Sequence, residues 1–408
     1  MSSSLAQSPR TSRPRYAPQM STVPEELVAD ILSRLRVKTL MRLKCVSKPW
    51  NSLISNPNFA KLHLQKSARD PHLTLMWEHP PSSYKDFYDG YISVVPFPLQ
   101  RLLENPSLTI AKDHDFRFQH KDCDQVVGSC DGLLCLVGYS GAGYSLRLWN
   151  PATRVRSREL AFFGIPVTPP RSSVFKFAVG YDNLTGTYKV VVAEFFIDDP
   201  EIPLESMVRV YSTGGKGWRD IESFPVVPVH PLRIGLNDGA YLNGTLNWLA
   251  VCDSPVDYDW DVVTADQLVV LSLDLGKETY NQLLLPRGFE EVPRVEPSIG
   301  VFMDCMCFSY DFKRTHFVLW LMKEFGVRES WTQFLRVSYQ DLQLDQLQYQ
   351  FRLLPLWVSE DDDVLVMAKG SDAQAILYNW RENTLGFALL KLLISEGHLF
   401  CLLYRSAT

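Results

Sequence analysis

The sequence predicts a multidomain α plus all-β protein: a short module of three to four helices at the front, then a propeller-like body of about six blades. Three observations carry this. Between residues 23 and 64, apolar residues recur at three- and four-residue spacings, the period of an amphipathic helix. From residue 72 onward, short apolar runs alternate with turn-forming residues and the helical period is gone. Within that region a glycine-led unit of successive apolar strands returns roughly every 50–60 residues, a length that suits a propeller blade.

Residues 1–20 are rich in Ser, Arg and Pro, hold three Arg and no acid, and are expected to form a disordered tail. Helical patterning fills residues 21–66. Thr22-Val23-Pro24-Glu25 has capping-box spacing, with Thr22 as N-cap and Glu25 three residues on. Leu27, Ile31 and Leu35 then mark one helix face, widened by Val28 and Leu32. A second helix is expected from about Thr39, carrying Leu40, Leu43 and Val46. Ser47 reads as the N-cap of a third, with Pro49 in its first turn and Trp50, Leu53 and Ile54 on the apolar side. Asn56-Pro57 ends that helix and starts a fourth with Phe59, Leu62 and Leu64. So small a module has too little interior to hide all of these side chains. The surplus either packs on the rest of the chain or faces a separate one.

The body, residues 72–408, reads as repeated units: "GSCDGLLCLVGYS" from Gly128, "GYDNLTGTYKVVVAEFF" from Gly180, "GAYLNGTLNWLAV" from Gly239, "GVFMDCMCFSY" from Gly300, and "VLVMAKG" with "AILYNWRENTL" as a fifth. The segments 72–95 and 397–404 are left over, one at each end. Joined, they make a sixth blade, and such closure removes an exposed sheet edge, which gives a physical reason for an apolar strand so late in the chain. A β-sandwich pair or an irregular β-domain is the alternative architecture.

Charge is unevenly placed. Of a total of −5, residues 1–20 carry +3 and residues 21–70 carry +5, which leaves −13 on the remainder. A basic front on an acidic body points to an acidic partner for the front and gives no reason to expect nucleic-acid binding. Apolar residues make up 46% of the chain, ample for a packed core, but the longest runs, such as "FVLWLM" at 317–322, are far too short to span a bilayer, so no membrane partner is expected. Eight scattered cysteines suggest reduced thiols and a cytoplasmic or nuclear location.

Catalytic and metal chemistry find little support. Gly128-Ser129-Cys130-Asp131-Gly132 has nucleophile-elbow spacing, yet a strand follows where a helix is required, and Asp131-Gly132 reads as a hairpin turn. Asp257, Asp259 and Asp261 begin like a calcium loop, but Val262 stands where glycine is needed and Leu268 where a bidentate Glu is needed. Cys305 with Cys307, and Cys130 with Cys135, lack zinc spacing and a second ligand pair. No catalytic residue, metal or cofactor is expected. For target binding, the aromatics Tyr258 and Trp260 in the acidic stretch 253–261, and Tyr84, Phe87 and Tyr88 in 82–90, are the candidates, since aromatics in polar loops often anchor interfaces.

The ordered set Pro24, Leu27, Ile31, Leu32, Leu35, Val37, Leu40, Leu43, Cys45-Val46-Ser47-Lys48, Trp50, Leu53 and Ile54 resembles the F-box, the motif that binds the Skp adaptor of cullin-based ubiquitin ligases. The resemblance departs at Arg36, where plant members usually carry proline. In the body, "VVGSCDGLLCL", "LWNPATR", "VGYDNLTGTYKVVV", "VRVYSTGGKGWRDI", "AYLNGTLNWLA", "VLSLDL" and "VLWLMKEFGVRESWTQF" follow the order of the plant F-box-associated domain. The resemblance implies a non-catalytic substrate receptor that holds the Skp adaptor, and through it the cullin and RING subunits, while the body holds a target protein. It also implies an adaptor face drawn from Pro24, Leu27, Ile31, Leu32, Leu35, Val37, Leu40, Leu43, Val46, Lys48 and Trp50, with Lys38 and Arg42 beside it to steer approach. The alternatives are an F-box scaffold or a ligand- or glycan-binding propeller acting outside degradation, and a propeller enzyme with an incidental helical cap.

Overall fold

The structure, a computed structural model, describes residues 23–66, 72–79, 91–98, 109–110, 116–119, 123, 125–140, 142–164, 173–196, 206–229, 239–253, 259–344, 353–359, 363–369, 374–389, 391–392 and 399–400. The chain divides into two units, Met1–Ala68 and Arg69–Thr408.

The first unit holds four helices: α1 (Glu25–Leu32), α2 (Val37–Leu43), α3 (Lys48–Ile54) and α4 (Pro57–Lys66). The start of α1 differs from the expected capping box. Pro24 is the N-cap, extended at φ −51° and ψ 140°, with no side-chain cap, so Glu25 opens the helix instead of standing three residues inside it. A proline disfavours helical geometry in the residue before it, which keeps Val23 out of the helix. Thr22, the expected cap, lies outside the described residues. The Pro24 carbonyl accepts from the N–H groups of Leu27 and Val28 at 3.1 and 3.2 Å.

The α1–α2 turn is short despite the missing proline. Arg36 takes φ −61°, the value a proline ring would impose, and its carbonyl accepts from Thr39 and Leu40 at 2.9 and 3.1 Å. That hydrogen-bonded start places α2 two residues earlier than the sequence pattern suggests. Ser47 caps α3 as expected, its Oγ accepting from the Trp50 N–H at 3.3 Å. Leu32, Leu40, Ile54 and Phe59 form the core of the unit, with Val28, Leu35, Leu43, Trp50 and Leu53 packed around them. His63 is also buried, and its Nε2 lies 2.9 Å from the Leu35 carbonyl, tying α4 to the end of α1.

Among the described residues, the second unit holds six antiparallel sheets, here called blades 1 to 6 in chain order, and a short parallel pairing of Thr109–Ile110 with Lys391–Leu392. Blade 1 combines His72–His79, Tyr91–Pro98 and Phe116–Gln119 with Leu399–Phe400, which pairs with the first of these through Trp77↔Leu399 and Met76↔Phe400. The expected closure of one blade by the late apolar segment is thus present. Blade 2 holds Gln125–Cys130, Leu133–Tyr139 and Gly143–Asn150, with Val155–Arg156 and Ala161–Gly164 both pairing with the last of these. Blade 3 holds Ser173–Asp182, Thr187–Phe196, Ser206–Ser212 and Trp218–Ile221. In blade 4, Thr245–Val251, Leu268–Asp274 and Thr279–Leu284 follow an inner position shared by Val227–Pro228 and Ala240–Leu242. Blade 5 holds Ser298–Phe302, Cys305–Phe312, His316–Met322 and Trp331–Ser338. Blade 6 holds Leu353–Val358, Val364–Lys369, Gln374–Asn379 and Thr384–Leu389. Its first strand, "LLPLWV", precedes the segment where the sequence places the start of that unit. Pro355 and the register shift beside it blur the strand pattern there.

Blades 2 to 5 each bury both of their faces, which explains why their middle strands read as unbroken apolar runs. In Thr187–Phe196, Val190 and Val192 face the cluster shared with blade 2, while Val191, Ala193 and Phe195 face the one shared with blade 4. Leu268–Asp274 repeats the device: Val269, Leu271 and Leu273 pack toward blade 3, and Leu268 and Val270 toward blade 5. With a side-chain period of two, alternation between two apolar layers erases the polar-out signal of a half-buried strand. Five such interblade cores run from blade 1 to blade 6. The inner strands sit so close that a Cβ on Gly180 would meet Leu275 Cδ1 at 2.5 Å and Tyr241 Cδ2 at 2.7 Å.

A buried charged cluster links two of these blades. The Lys189 ammonium is almost fully buried and bonds the Asp182 Oδ2 at 2.8 Å, the Glu278 Oε1 at 2.9 Å and the Leu275 carbonyl at 2.5 Å. Arg219 closes the other side of Glu278. Lys189, Asp182 and Arg219 belong to blade 3, and Leu275 and Glu278 to the outer turn of blade 4, so the charges staple two neighbours together. Burial works against the Asp182 carboxylate, but Lys189, the Thr185 hydroxyl and the Leu184 and Thr185 N–H groups outweigh it and bring its pKa down to about 2.

Candidate functional site

The helical unit presents apolar side chains that its own core does not take up. In α1, Val28 and Leu32 turn inward, whereas Leu27 and Ile31, one turn apart, are 55% and 59% exposed. The sequence pattern groups Leu27, Ile31 and Leu35 on one face. The structure instead places Leu27 and Ile31 outward and leaves Leu35 half-buried in the turn after the helix. Val46, in the turn before α3, is 63% exposed. A helix apolar on two sides has a second use beyond filling its own unit.

The other residues of the expected adaptor face fall into three groups. Pro24 and Lys48 are exposed. Val37, Leu43 and Trp50 are half-buried, the last two against the core of the unit. Leu32 and Leu40 are core residues, each only 3% exposed, and so support the fold from inside instead of lying on the open surface. Sequence periodicity missed this split because the 27/31 and 28/32 pairs are equally apolar. His63 gave no signal either, since a lone histidine in a helix has no spacing to flag it.

The electrostatics of the unit favour an acidic partner. Arg36, Lys38, Arg42 and Lys48 are all exposed. Asp30 is occupied by Lys66 and by Arg34 at 3.4 Å, and these two bonds lower its pKa, so it stays ionised and paired. The exposed charge that remains on α2 and the start of α3 is positive.

In the body, the structure disposes of the sequence candidates one by one. Cys130 ends a strand, and Asp131 and Gly132, at φ 50° and 77°, form a tight hairpin turn into the next strand, so no elbow exists. Burial pushes the Cys130 thiol far up, Asp131 adding to it, and burial lifts Cys135 and Cys307 to about 12, all opposite to what a nucleophile or ligand needs. Asp259 caps a short 3₁₀ turn, its Oδ1 accepting from the Asp261 N–H at 3.0 Å; Asp257 lies outside the described residues. Tyr258, Tyr84, Phe87 and Tyr88 also lie outside them. Trp260 is half-buried, donates its indole N–H to the Pro293 carbonyl at 2.8 Å and packs against the core between blades 4 and 5. It holds a loop in place.

Residues 20–62 match the family described as F-box domain, and residues 98–397 match the F-box associated beta propeller domain. Among curated proteins, the chain is 32% identical over 377 residues to the F-box/kelch-repeat protein At3g23880 of Arabidopsis thaliana, covering 90% of each. It is 27% identical over 336 residues to the F-box protein CPR1 of Arabidopsis thaliana, covering 78% of this chain and 74% of that one. The chain belongs to the F-box proteins that carry an F-box associated beta propeller domain.

Proposed function

We propose that this protein is a substrate receptor of a Skp–cullin–F-box ubiquitin ligase, holding the Skp adaptor with its helical unit and a target protein with its β unit. The exposed apolar pair Leu27 and Ile31, with Val46 and the exposed cations of α2 and the start of α3, carries the reading. Burying each of these side chains is worth roughly 1.5–3 kcal/mol, enough in combination to offset association costs of about 4–15 kcal/mol once the half-buried neighbours contribute. On this reading no acid, base or nucleophile of the chain is needed. Its work is proximity: a target tethered beside a charged conjugating enzyme meets ubiquitin at high effective concentration. A cytoplasmic or nuclear location suits that role.

The test is capture of the full chain by a purified Skp adaptor. Leu27→Asp and Ile31→Asp are expected to weaken capture at least tenfold each while leaving the near-ultraviolet circular dichroism of the β unit unchanged. Capture that survives both substitutions overturns the reading. Leu32→Asp serves as the contrast, since it should unfold the helical unit instead of only spoiling its surface.

A further inference from the structure

Two exposed cations of blade 5 are gathered around one aromatic ring. Phe312 pairs with His316 and His316 with Ser338; two residues inward, Tyr310 pairs with Val318 and Val318 with Arg336. Paired residues and those two apart share a face, so Phe312, His316 and Arg336 lie on the side where Tyr310 and Val318 join the core shared with blade 4. Phe312 is half-buried and packs on that core, which fixes the ring. Arg336 Cζ stands 4.4 Å from the ring centre, and the Nζ of Lys313, in the turn that follows Phe312, stands 5.5 Å from it.

The charges around the ring do not balance. Arg336 stacks on the ring and meets no carboxylate within ion-pair distance among the described residues, so its N–H donors remain available. Lys313 bonds Glu291 Oε2 at 3.4 Å, but both side chains are more than half exposed, and such a pair is held weakly. Two neighbours are already committed. Asp341 accepts from the Ser338 hydroxyl at 2.6 Å, and the Arg314 N–H donates to Asp311, which faces the blade 6 side with Phe317. The turn itself is unusual in composition. Lys313 and Arg314 sit at φ 51° and 56°, positions that the turns at 131–132 and 243–244 fill with Asp-Gly and Asn-Gly. Left-handed backbone suits those residues better than lysine, so this turn carries its cation at a conformational cost.

We propose that Arg336 and Lys313 seat a phosphoryl group carried by the target, Arg336 offering its forked N–H donors and Lys313 letting go of Glu291. This deepens the receptor reading and rests on it. Glu291 marks the chemistry, since an oxyanion of the chain itself already stands at Lys313. A target carboxylate would replace Glu291 like for like. A phosphoryl group brings roughly twice the charge and a third acceptor oxygen, and so gains where a carboxylate does not. An extended polyanion such as RNA fits less well, because the β unit is acidic overall and repels it beyond these two cations.

The full chain, copurified with its Skp adaptor, is to be screened against synthetic peptides with a central phosphoserine, phosphothreonine or phosphotyrosine, and against the same peptides unphosphorylated. The expected result is binding of phosphorylated members, at least tenfold weaker in Arg336→Gln. Lys313→Asn should also bind more weakly, yet melt no lower than the native chain, since asparagine accepts the backbone of the turn. Glu291→Gln, which frees Lys313, should bind at least twofold tighter. Lys216→Gln, which removes an exposed cation of blade 3, should bind as before. Phosphorylated peptides that bind no better than unphosphorylated ones, that bind Arg336→Gln undiminished, or that bind Glu291→Gln more weakly would overturn the proposal. So would glutamate-substituted peptides of equal affinity, inorganic phosphate that competes at the affinity of the peptide, or an RNA oligonucleotide whose binding depends on Arg336; these point to a carboxylate seat, a free-phosphate site and an RNA site in turn. Adaptor capture is measured on the same samples. Its loss with phosphopeptide binding intact would sink the receptor reading alone, and retained capture without phosphopeptide binding would sink the seat alone.

Discussion

Lys189→Met tests how far the stability of the β unit depends on the charge buried between blades 3 and 4. Methionine keeps most of the side chain's volume and removes only the ammonium. Asp182, fully buried, then loses its 2.8 Å partner and keeps only the Thr185 hydroxyl and the Leu184 and Thr185 N–H groups. Breaking a buried pair from one side costs about 3–5 kcal/mol, because the remaining charge stays desolvated. In a urea titration of the full chain followed by near-ultraviolet circular dichroism, a slope near 3 kcal/mol/M turns this into a midpoint lowered by about 1 M or more. Lys189→Met with Asp182→Asn should recover part of the loss, since the stranded carboxylate is gone. The acid limb supplies a second reading. Asp182 titrates at about 2 in the fold against an ordinary 3.8, so its contribution, about 2 kcal/mol, is fully present above pH 3.8 and is lost as pH falls from 3.8 toward 2. Asp182→Asn should flatten that limb. A Lys189→Met penalty below 1 kcal/mol, or a double variant no milder than the single one, would refute the staple.

Two further outcomes are expected. Gly180→Ala drives a methyl into Leu275 and Tyr241 and should cost about 1–3 kcal/mol by the same titration, with no effect on adaptor capture. In alkylation with iodoacetamide at pH 8, followed residue by residue in digests, exposed Cys45 should label first; Cys130, Cys135 and Cys307, buried with thiols pushed up, should label only on unfolding.

Much of the architecture was legible, and for local reasons. Ser47 sits where only a capping side chain makes sense before Pro49 and Trp50, and the blade rhythm shows because tight turns such as Asp131-Gly132 and Asn243-Gly244 demand positive φ at both residues, 50° and 77° in one, 49° and 87° in the other. What stayed hidden was set by tertiary contact. Nothing within α1 says whether 27/31 or 28/32 turns inward, because that depends on where α2 and α4 lie. Lys189 heads the run "KVVV" and looks like an ordinary solvated strand end; only the fold brings Asp182 and Glu278 to it. Trp260 reads as an interface anchor until its indole N–H is found bonded to the Pro293 carbonyl.

The pairing of Leu399–Phe400 with Trp77 and Met76 joins residues more than 300 positions apart, so it bears on biosynthesis as well as stability. On the ribosome, the F-box has emerged and can fold long before the clasp of blade 1 is made. A nascent or prematurely terminated chain would therefore carry the F-box ahead of a finished β unit, its strand His72–His79 lacking the late partner. Completion of blade 1 is then the last step of manufacture, and any message truncated upstream of residue 399 yields a product with the F-box present and blade 1 short of its late strand.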